Sequence, residues 1–407
     1  MFPRPKLTVC VPSRNRQRTF KETIRALLLR PRIDVQFVFA DNSDDASIMD
    51  DFMADHLADP RVVYLRSQDT ALSMVDNWNR CVEAAEGEFV CMIGDDDYVD
   101  VNMIDTINRI QEQDPTLDAF CWNRLTYNWP GMPRPPSNVH IKLEPEIRKI
   151  ARGVLYAEFF GWRALPSSAR IPMGFYHGAI SMALMDSFKE RFGSYCSHPT
   201  VDFDNVCKVV SSANGLYFSS RPFSVMGACA ESNSAAIYNS EGHARAHAQF
   251  MKELGRNMDE DPYMKLTPFR SEHGLAASIL QVQLWFTSTF GYQMVDGWEQ
   301  GFAKACALNA QFMDTKDSYD RTIKNYRQAL RKWHGGKYLP FFKPEPFVER
   351  YGTKLWTGMI EGDLFIHERI DFISTPRELY DFVEQIVARP EDLVIEDHSG
   401  MWQAKSA

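Results

Sequence analysis

Three short apolar runs, Leu7–Val11, Val35–Ala40 and Phe89–Ile93, each break off into a polar cluster. The clusters are Ser13–Arg16, Asp41–Ser43 and Asp95–Asp97. Between the runs, apolar residues recur at helical spacing: Phe20, Ile24, Leu27 and Leu28, then Ile48, Phe52 and Leu57, then Met74, Trp78, Cys81 and Ala85. A capping box, Thr19-x-x-Glu22, starts the first helix at Thr19, and Pro31 ends it. Arg61–Leu65 adds a strand; Asp100 caps a helix through Gln113, and Ala119–Trp122 is a further strand. Short strands alternating with helices predict a mostly parallel sheet covered on both faces. Ligands of such sheets bind outside the carboxyl ends of the strands, and all three clusters fall there.

The cluster Gly94-Asp95-Asp96-Asp97 carries the most chemistry. Adjacent carboxylates repel one another, and at the end of a core strand they suit a hard divalent cation, Mg²⁺ or Mn²⁺, which prefers oxygen ligands. An acidic turn with Asp as a cap is the plainer alternative. A formal net charge of -9 argues against nucleic-acid binding through a basic surface. No G-x-G-x-x-G follows the first strand, and no G-x-x-x-x-G-K-[ST] occurs, so dinucleotide and P-loop readings lose their main support. Eight scattered cysteines without a CxxC read as reduced, buried thiols of a cytoplasmic protein. The first residues lead straight into a strand, leaving no room for a signal peptide, and no apolar stretch is long enough to span a membrane.

Further along, Pro130, Pro133, Pro135 and Pro136 mark a loop over the site. Helices are expected over 144–160 and 182–192, strands over 173–177 and 221–225, and another helix from Thr200, with Asp202 near its N-terminus. Beyond Glu241 the pattern turns helical: Leu275–Phe290 is apolar nearly all round, and Thr375-Pro376-Arg377-Glu378 opens the last helix. The acidic break Asp259–Pro262 is the sharpest boundary signal, and the chain divides into residues 1–240 and a helical accessory region, 241–407. That region shows an architecture but no chemistry. His243 and His247, one turn apart without the intervening glutamate of a zinc-protease motif, read as a solvated helix face.

Four segments resemble glycosyltransferase family 2. They are Val9–Arg16, Val38–Asp45, Asn77–Arg80 with Ala85–Phe89, and Gly94–Asp97. The resemblance implies a GT-A fold, a Rossmann-like mixed sheet flanked by helices. It also implies a metal-dependent, inverting transfer from a nucleotide sugar, UDP-linked first of all, to a saccharide or lipid-linked glycan acceptor. Asp41 would accept the imide N–H of uracil. Pro12, Ser13, Asn15 and Arg16 would line the nucleotide, with Ser73 and Asn77 facing it from the third helix and Asp95 beside it. Gly94 stands where many relatives carry the first Asp of the acidic motif. Aligned that way, Asp96 binds the metal with Asp95 and Asp97 supporting; aligned as Asp95-x-Asp97, the outer pair does so. Asp202-Phe203-Asp204 resembles the segment that supplies the general base, but Val201 and Lys208 replace the usual Glu and Arg, so Asp202 and Asp204 both stand as candidates. His177 and His198 are candidates for acceptor contacts or a third metal ligand but read first as structural histidines. Trp122, Trp129 and Trp162 suit stacking on acceptor sugars or core packing, and Arg66 and Arg221 are candidate diphosphate partners or ordinary surface arginines. The resemblance fits a soluble enzyme at the inner face of a membrane, and the helical C-terminal region offers a dimer contact. A nucleotidyltransferase and a non-catalytic nucleotide-sugar-binding module are the competing readings.

Overall fold

The computed structural model describes residues 4–132, 137–163, 173–232, 240–255, 257–349, 357–367 and 370–397. Strands β1 (Leu7–Ser13), β2 (Val35–Asp41), β3 (Val62–Leu65) and β4 (Phe89–Met92) alternate with helices α1 (Gln17–Leu28), α2 (Ser47–Ala54) and α3 (Met74–Glu83). These strands lie in the order β4-β1-β2-β3, every pair parallel. All residues of β1 and β2 are buried, which is why their sequences read as unbroken runs and not as alternation.

The next elements are β5 (Tyr98–Val99), α4 (Met103–Gln113), β6 (Leu117–Asn128), β7 (Ser137–Lys142) and β8 (Glu146–Lys149). They are followed by α5 (Arg152–Gly161), β9 (Gly178–Ser181), α6 (Met182–Phe192), α7 (Val201–Ser212) and β10 (Gly215–Ala228). β9 inserts between β4 and β6, antiparallel to both, and β10 runs parallel to β6. The sheet is therefore mixed, as a GT-A fold implies.

Helices α8 (Ser240–Leu254), α9 (Leu275–Phe290), α10 (Trp298–Gln311) and α11 (Lys316–Lys332) form the helical part. They extend the apolar core on one face of the sheet, where Phe286 of α9 meets Phe160 of α5 and Phe192 of α6. The chain then returns to the sheet through β11 (Thr357–Ile360), β12 (Asp363–Ile366), α12 (Pro376–Glu384) and β13 (Val394–Asp397). β12 pairs with β7 and β13 with β8. All eight cysteines are free and buried. Among the described residues, no helix is long and apolar enough to cross a membrane.

Several local expectations shift. α1 begins at Gln17, and the Thr19 hydroxyl donates to the Arg16 carbonyl instead of capping the helix, while Glu22 pairs with Arg25. α2 turns Met49 and Met53 inward and leaves Ile48 exposed, because so short a helix buries one narrow stripe, and Leu57 lies exposed beyond its end. The helix expected over 144–160 splits: Glu146–Lys149 is the strand β8, with Ile147 inward, and the helix starts only at Arg152. The strand expected over 173–177 reduces to one bridge between Met92 and Tyr176 ahead of β9. Arg221 is buried, not superficial; it donates to the Ala388 and Pro222 carbonyls and lies over the Phe223 ring. Pro133, Pro135 and Pro136 lie outside the described residues. Trp122, Trp129 and Trp162 are buried in the core, which of their two readings leaves core packing.

Candidate active site

The turn after β4 puts its three aspartates into three different situations. Asp97 is saturated. Its Oδ2 accepts from the Gly94 amide (2.6 Å), the Tyr176 hydroxyl (3.0 Å) and His177 Nε2 (2.9 Å), and its Oδ1 accepts from the Gly227 amide (2.6 Å). Burial works to raise this carboxyl, but His177 and the two amides outweigh it and hold it below the usual range. His177, at φ 57°, is fixed on its other side by Ser224 Oγ at 2.9 Å. It is therefore structural, as the sequence leads one to expect. Asp95 is sealed beneath the turn, its Oδ1 2.9 Å from Arg16 Nη2. Asp96 accepts from the Cys229 amide through Oδ2 (3.1 Å), while its Oδ1 lies 3.6 Å from Arg16 Nη1, and the residue lines a cleft. Burial pushes both Asp95 and Asp96 upward, with Arg16 opposing it.

This packing accounts for the glycine that departs from the acidic motif. A Cβ on Gly94 would stand 2.9 Å from Asp97 Oδ2 and 3.1 Å from Asp96 Oδ1, displacing the carboxylates the turn exists to place. Gly227 is tighter still, since a Cβ there would fall 1.8 Å from the Asp96 carbonyl oxygen. Gly227→Ala must push β10 off the acidic turn, and we expect a loss of at least about 2 kcal/mol in urea unfolding; an unchanged midpoint would contradict this close approach.

At the ends of β1 and β2 two loops are stapled together. Asn15 Oδ1 accepts from the Asp44 amide and its Nδ2 donates to Asp44 Oδ2, both at 2.9 Å, and the Asn15 amide donates to Ser43 Oγ. Asp41 is fully buried; its Oδ1 accepts from the amide and hydroxyl of Ser43, but its Oδ2 has no hydrogen-bond partner. Burial raises this carboxyl too. An unpartnered buried carboxylate oxygen is costly unless a ligand donor meets it. Ser73 caps α3 and binds Asp76, and Asn77 accepts from Arg80, which in turn reaches the Asp41 carbonyl. Pro12 and Arg16 line the cleft; Ser13 is buried behind it.

α7 separates the two base candidates. Asp202, in its first turn, lines the same cleft as Asp96; its Oδ1 accepts only from the Phe203 amide at 2.9 Å, and burial raises its carboxyl. Asp204 points away. Its Oδ2 accepts from Lys208 Nζ (3.1 Å) and from the amides of Ser197 (2.6 Å) and His198 (3.3 Å), and neither charged side chain is exposed. Lys208 also donates to the Ser194 and Tyr195 carbonyls, so this pair fixes the loop before α7.

The cleft has a volume of about 300 Å³, and its opposite wall comes from α8, the turn Ser271–His273 and α9. His243 and His247, expected on a solvated face, are half-buried and line it. The misreading arose because nothing local shows that α9 lies against α8; the available signal was the buried polar residues of a largely apolar helix, Ser278 and Gln281 among them. Among the described residues, no group of three His, Cys, Asp or Glu could hold a metal unaided. Asp96, the one aspartate of the turn that lines the cleft, nevertheless suits Mg²⁺ or Mn²⁺, which bind through one or two carboxylates together with substrate phosphates.

Residues 8–192 match the model of a family described as glycosyl transferase family 2. The match ends before α7, so the placement of Asp202 rests on its own geometry. No curated protein matches the chain. Among solved structures, the chain is similar to S. aureus TarS 1-349 in complex with UDP-GlcNAc, at 14% identity over 90% of this chain and 97% of that one, with a TM-score of 0.45. It is similar also to the mannosyltransferase PcManGT from Pyrobaculum calidifontis in complex with GDP-Man and Mn2+, at 15% identity over 84% and 86% of the two chains, with a TM-score of 0.38. The part of the chain that bears the acidic turn, residues 8–192, thus matches glycosyl transferase family 2.

Proposed function

We propose that the protein transfers a sugar from a nucleoside diphosphate donor, UDP-linked first of all, to a hydroxyl of a saccharide or lipid-linked glycan, with inversion at the anomeric carbon. One observation carries this reading: Asp96, on the turn after β4, and Asp202, on α7, line one cleft. Asp202 is the carboxylate suited to take the proton of the attacking hydroxyl, since its second oxygen is uncommitted and burial keeps it basic. Asp41 offers its unpartnered Oδ2 to a ring N–H of the base, which favours uracil over cytosine, a ring without an imide N–H. Arg16, at the start of α1, holds Asp95 and Asp96 in place beside the phosphates. A divalent cation held by Asp96 would neutralise charge on the departing diphosphate. A base on α7 and a leaving-group site on the turn after β4 suit single displacement, which inverts the centre.

The test is thermal unfolding with UDP, with Mn²⁺, and with both. Together they should raise the melting temperature well beyond either alone, as expected when the second ligand completes the first one's site; saturation at about 100 Kd adds about 2.7 kcal/mol. Absence of any shift with every nucleoside diphosphate, with and without metal, would refute the reading.

A further inference from the structure

The wall opposite the acidic turn is built by α8 and α9, which lie beyond the residues that match the family. Its polar groups form one connected set. His243 Nε2 lies 2.7 Å from the Ser271 carbonyl oxygen, which can only accept, so the ring carries its proton on Nε2. Burial lowers the affinity of His243 for a second proton, which leaves the imidazole neutral with a bare Nδ1 acceptor. His247 Nε2 stands 3.6 Å from Asp259 Oδ2, and His247 holds that carboxyl below its usual range. Gln281, buried in α9, accepts from the Ser271 hydroxyl and donates to Asp259 Oδ1 at 3.4 Å. An acid–amide–imidazole chain at the wall of a cleft is a way to hold hydrogen-bonding groups in fixed orientation.

We propose that this wall is the acceptor subsite, and that it takes a neutral saccharide or polyol through its hydroxyls, with His243 and His247 as the residues that recognise them. This rests on the transferase reading above and adds the chemistry of the acceptor. Two observations favour a neutral ligand over a phosphorylated one. Among the described residues of α8, the Ser271–His273 turn and α9 that line the cleft, none is lysine or arginine. The cleft's two arginines, Arg16 and Arg124, stand on the sheet side, whereas the carboxylates Asp202 in the cleft and Asp259 behind His247 disfavour an anion against this wall. Trp78 and Tyr176, whose rings lie 5.8 Å apart, line the same cleft and offer an aromatic surface for the C–H face of a sugar ring.

The experiment uses the full chain and its variants His243→Ala, His247→Ala and His243→Gln, the last retaining an amide donor for the Ser271 carbonyl. Saturation-transfer NMR is run against a panel of neutral mono- and disaccharides and polyols and their phosphate esters, with UDP binding measured in parallel by calorimetry. At least one neutral compound should bind the parent protein. Each alanine variant should lose at least ten-fold in that affinity, His243→Gln should lose less than His243→Ala, and UDP affinity should stay within two-fold. The proposal is overturned if no neutral compound binds, if the phosphate esters bind more tightly, if both alanine variants bind like the parent, or if they lose UDP binding to the same degree. Failure of UDP to bind the parent protein counts against the donor reading instead, and the saccharide measurement stands apart from it.

Discussion

Asp202→Asn will reduce sugar transfer by about 10²–10⁴-fold, the range expected for loss of a general base, while nucleotide affinity stays within about two-fold. The side chain keeps its shape and can still accept from the Phe203 amide, so the fold of α7 has no reason to change. What disappears is the only carboxylate oxygen of α7 that faces the cleft, since Asp204 is committed to Lys208 and to two loop amides. Asp204→Asn leaves a buried lysine without its counter-charge and should therefore act on stability first. Its transfer rate, corrected for folded fraction, should stay near that of the parent protein. The pH profile gives a second reading of the same assignment. Burial raises the Asp202 carboxyl, so its ionised form is lost as pH falls through a value above the ordinary carboxylate range, and the acid limb of kcat/KM should lie there. If Asp202→Asn retains transfer while Asp204→Asn abolishes it at equal folded fraction, the base is the other residue.

How much of this was legible in the sequence depended on how local the cause was. The parallel core announced itself because β1 and β2 are buried on both faces and their runs admit no other reading. α6 has the bounds expected of it, Met182–Phe192, and α12 opens where expected, with Thr375 and Glu378 forming a capping box. By contrast β8 pairs with β10 and with β13, almost 250 residues away, and a four-residue stretch of mixed charge looks helical until those partners are known. The same limit governs the site. The acidic turn, Asp41 and Asp202 stand on short motifs, but the far wall is made by helices whose packing is set by core contacts such as Phe286 with Phe160 and Phe192. His243 and His247 have the spacing of any exposed helical pair; only the burial of α9 against the sheet-side helices turns them toward the cleft.

The three adjacent aspartates can be told apart by measuring stability and ligand linkage on the same variants. Asp97→Ala removes the acceptor of four hydrogen bonds and leaves His177 and the Gly94 and Gly227 amides without their partner. Breaking a buried charged network of this kind costs about 3–5 kcal/mol, and a drop of that size in urea unfolding is the expected result. Asp96→Asn keeps an oxygen for the Cys229 amide and should change stability by less than about 1 kcal/mol. It should, however, abolish the extra thermal stabilisation that Mn²⁺ gives in the presence of UDP. The divergence follows from geometry. Asp97 spends both oxygens on protein donors, Asp95 is paired with Arg16 beneath the turn, and of the three only Asp96 lines the cleft. Reversed behaviour, with Asp97→Ala stable and blind to Mn²⁺ and Asp96→Asn unfolded, would assign the cation to Asp97. Gly94 then becomes the discriminating position. Because its Cβ would meet both carboxylates, Gly94→Ala should weaken stability and cation linkage together, whereas a cation held away from Asp96 and Asp97 would leave the linkage untouched.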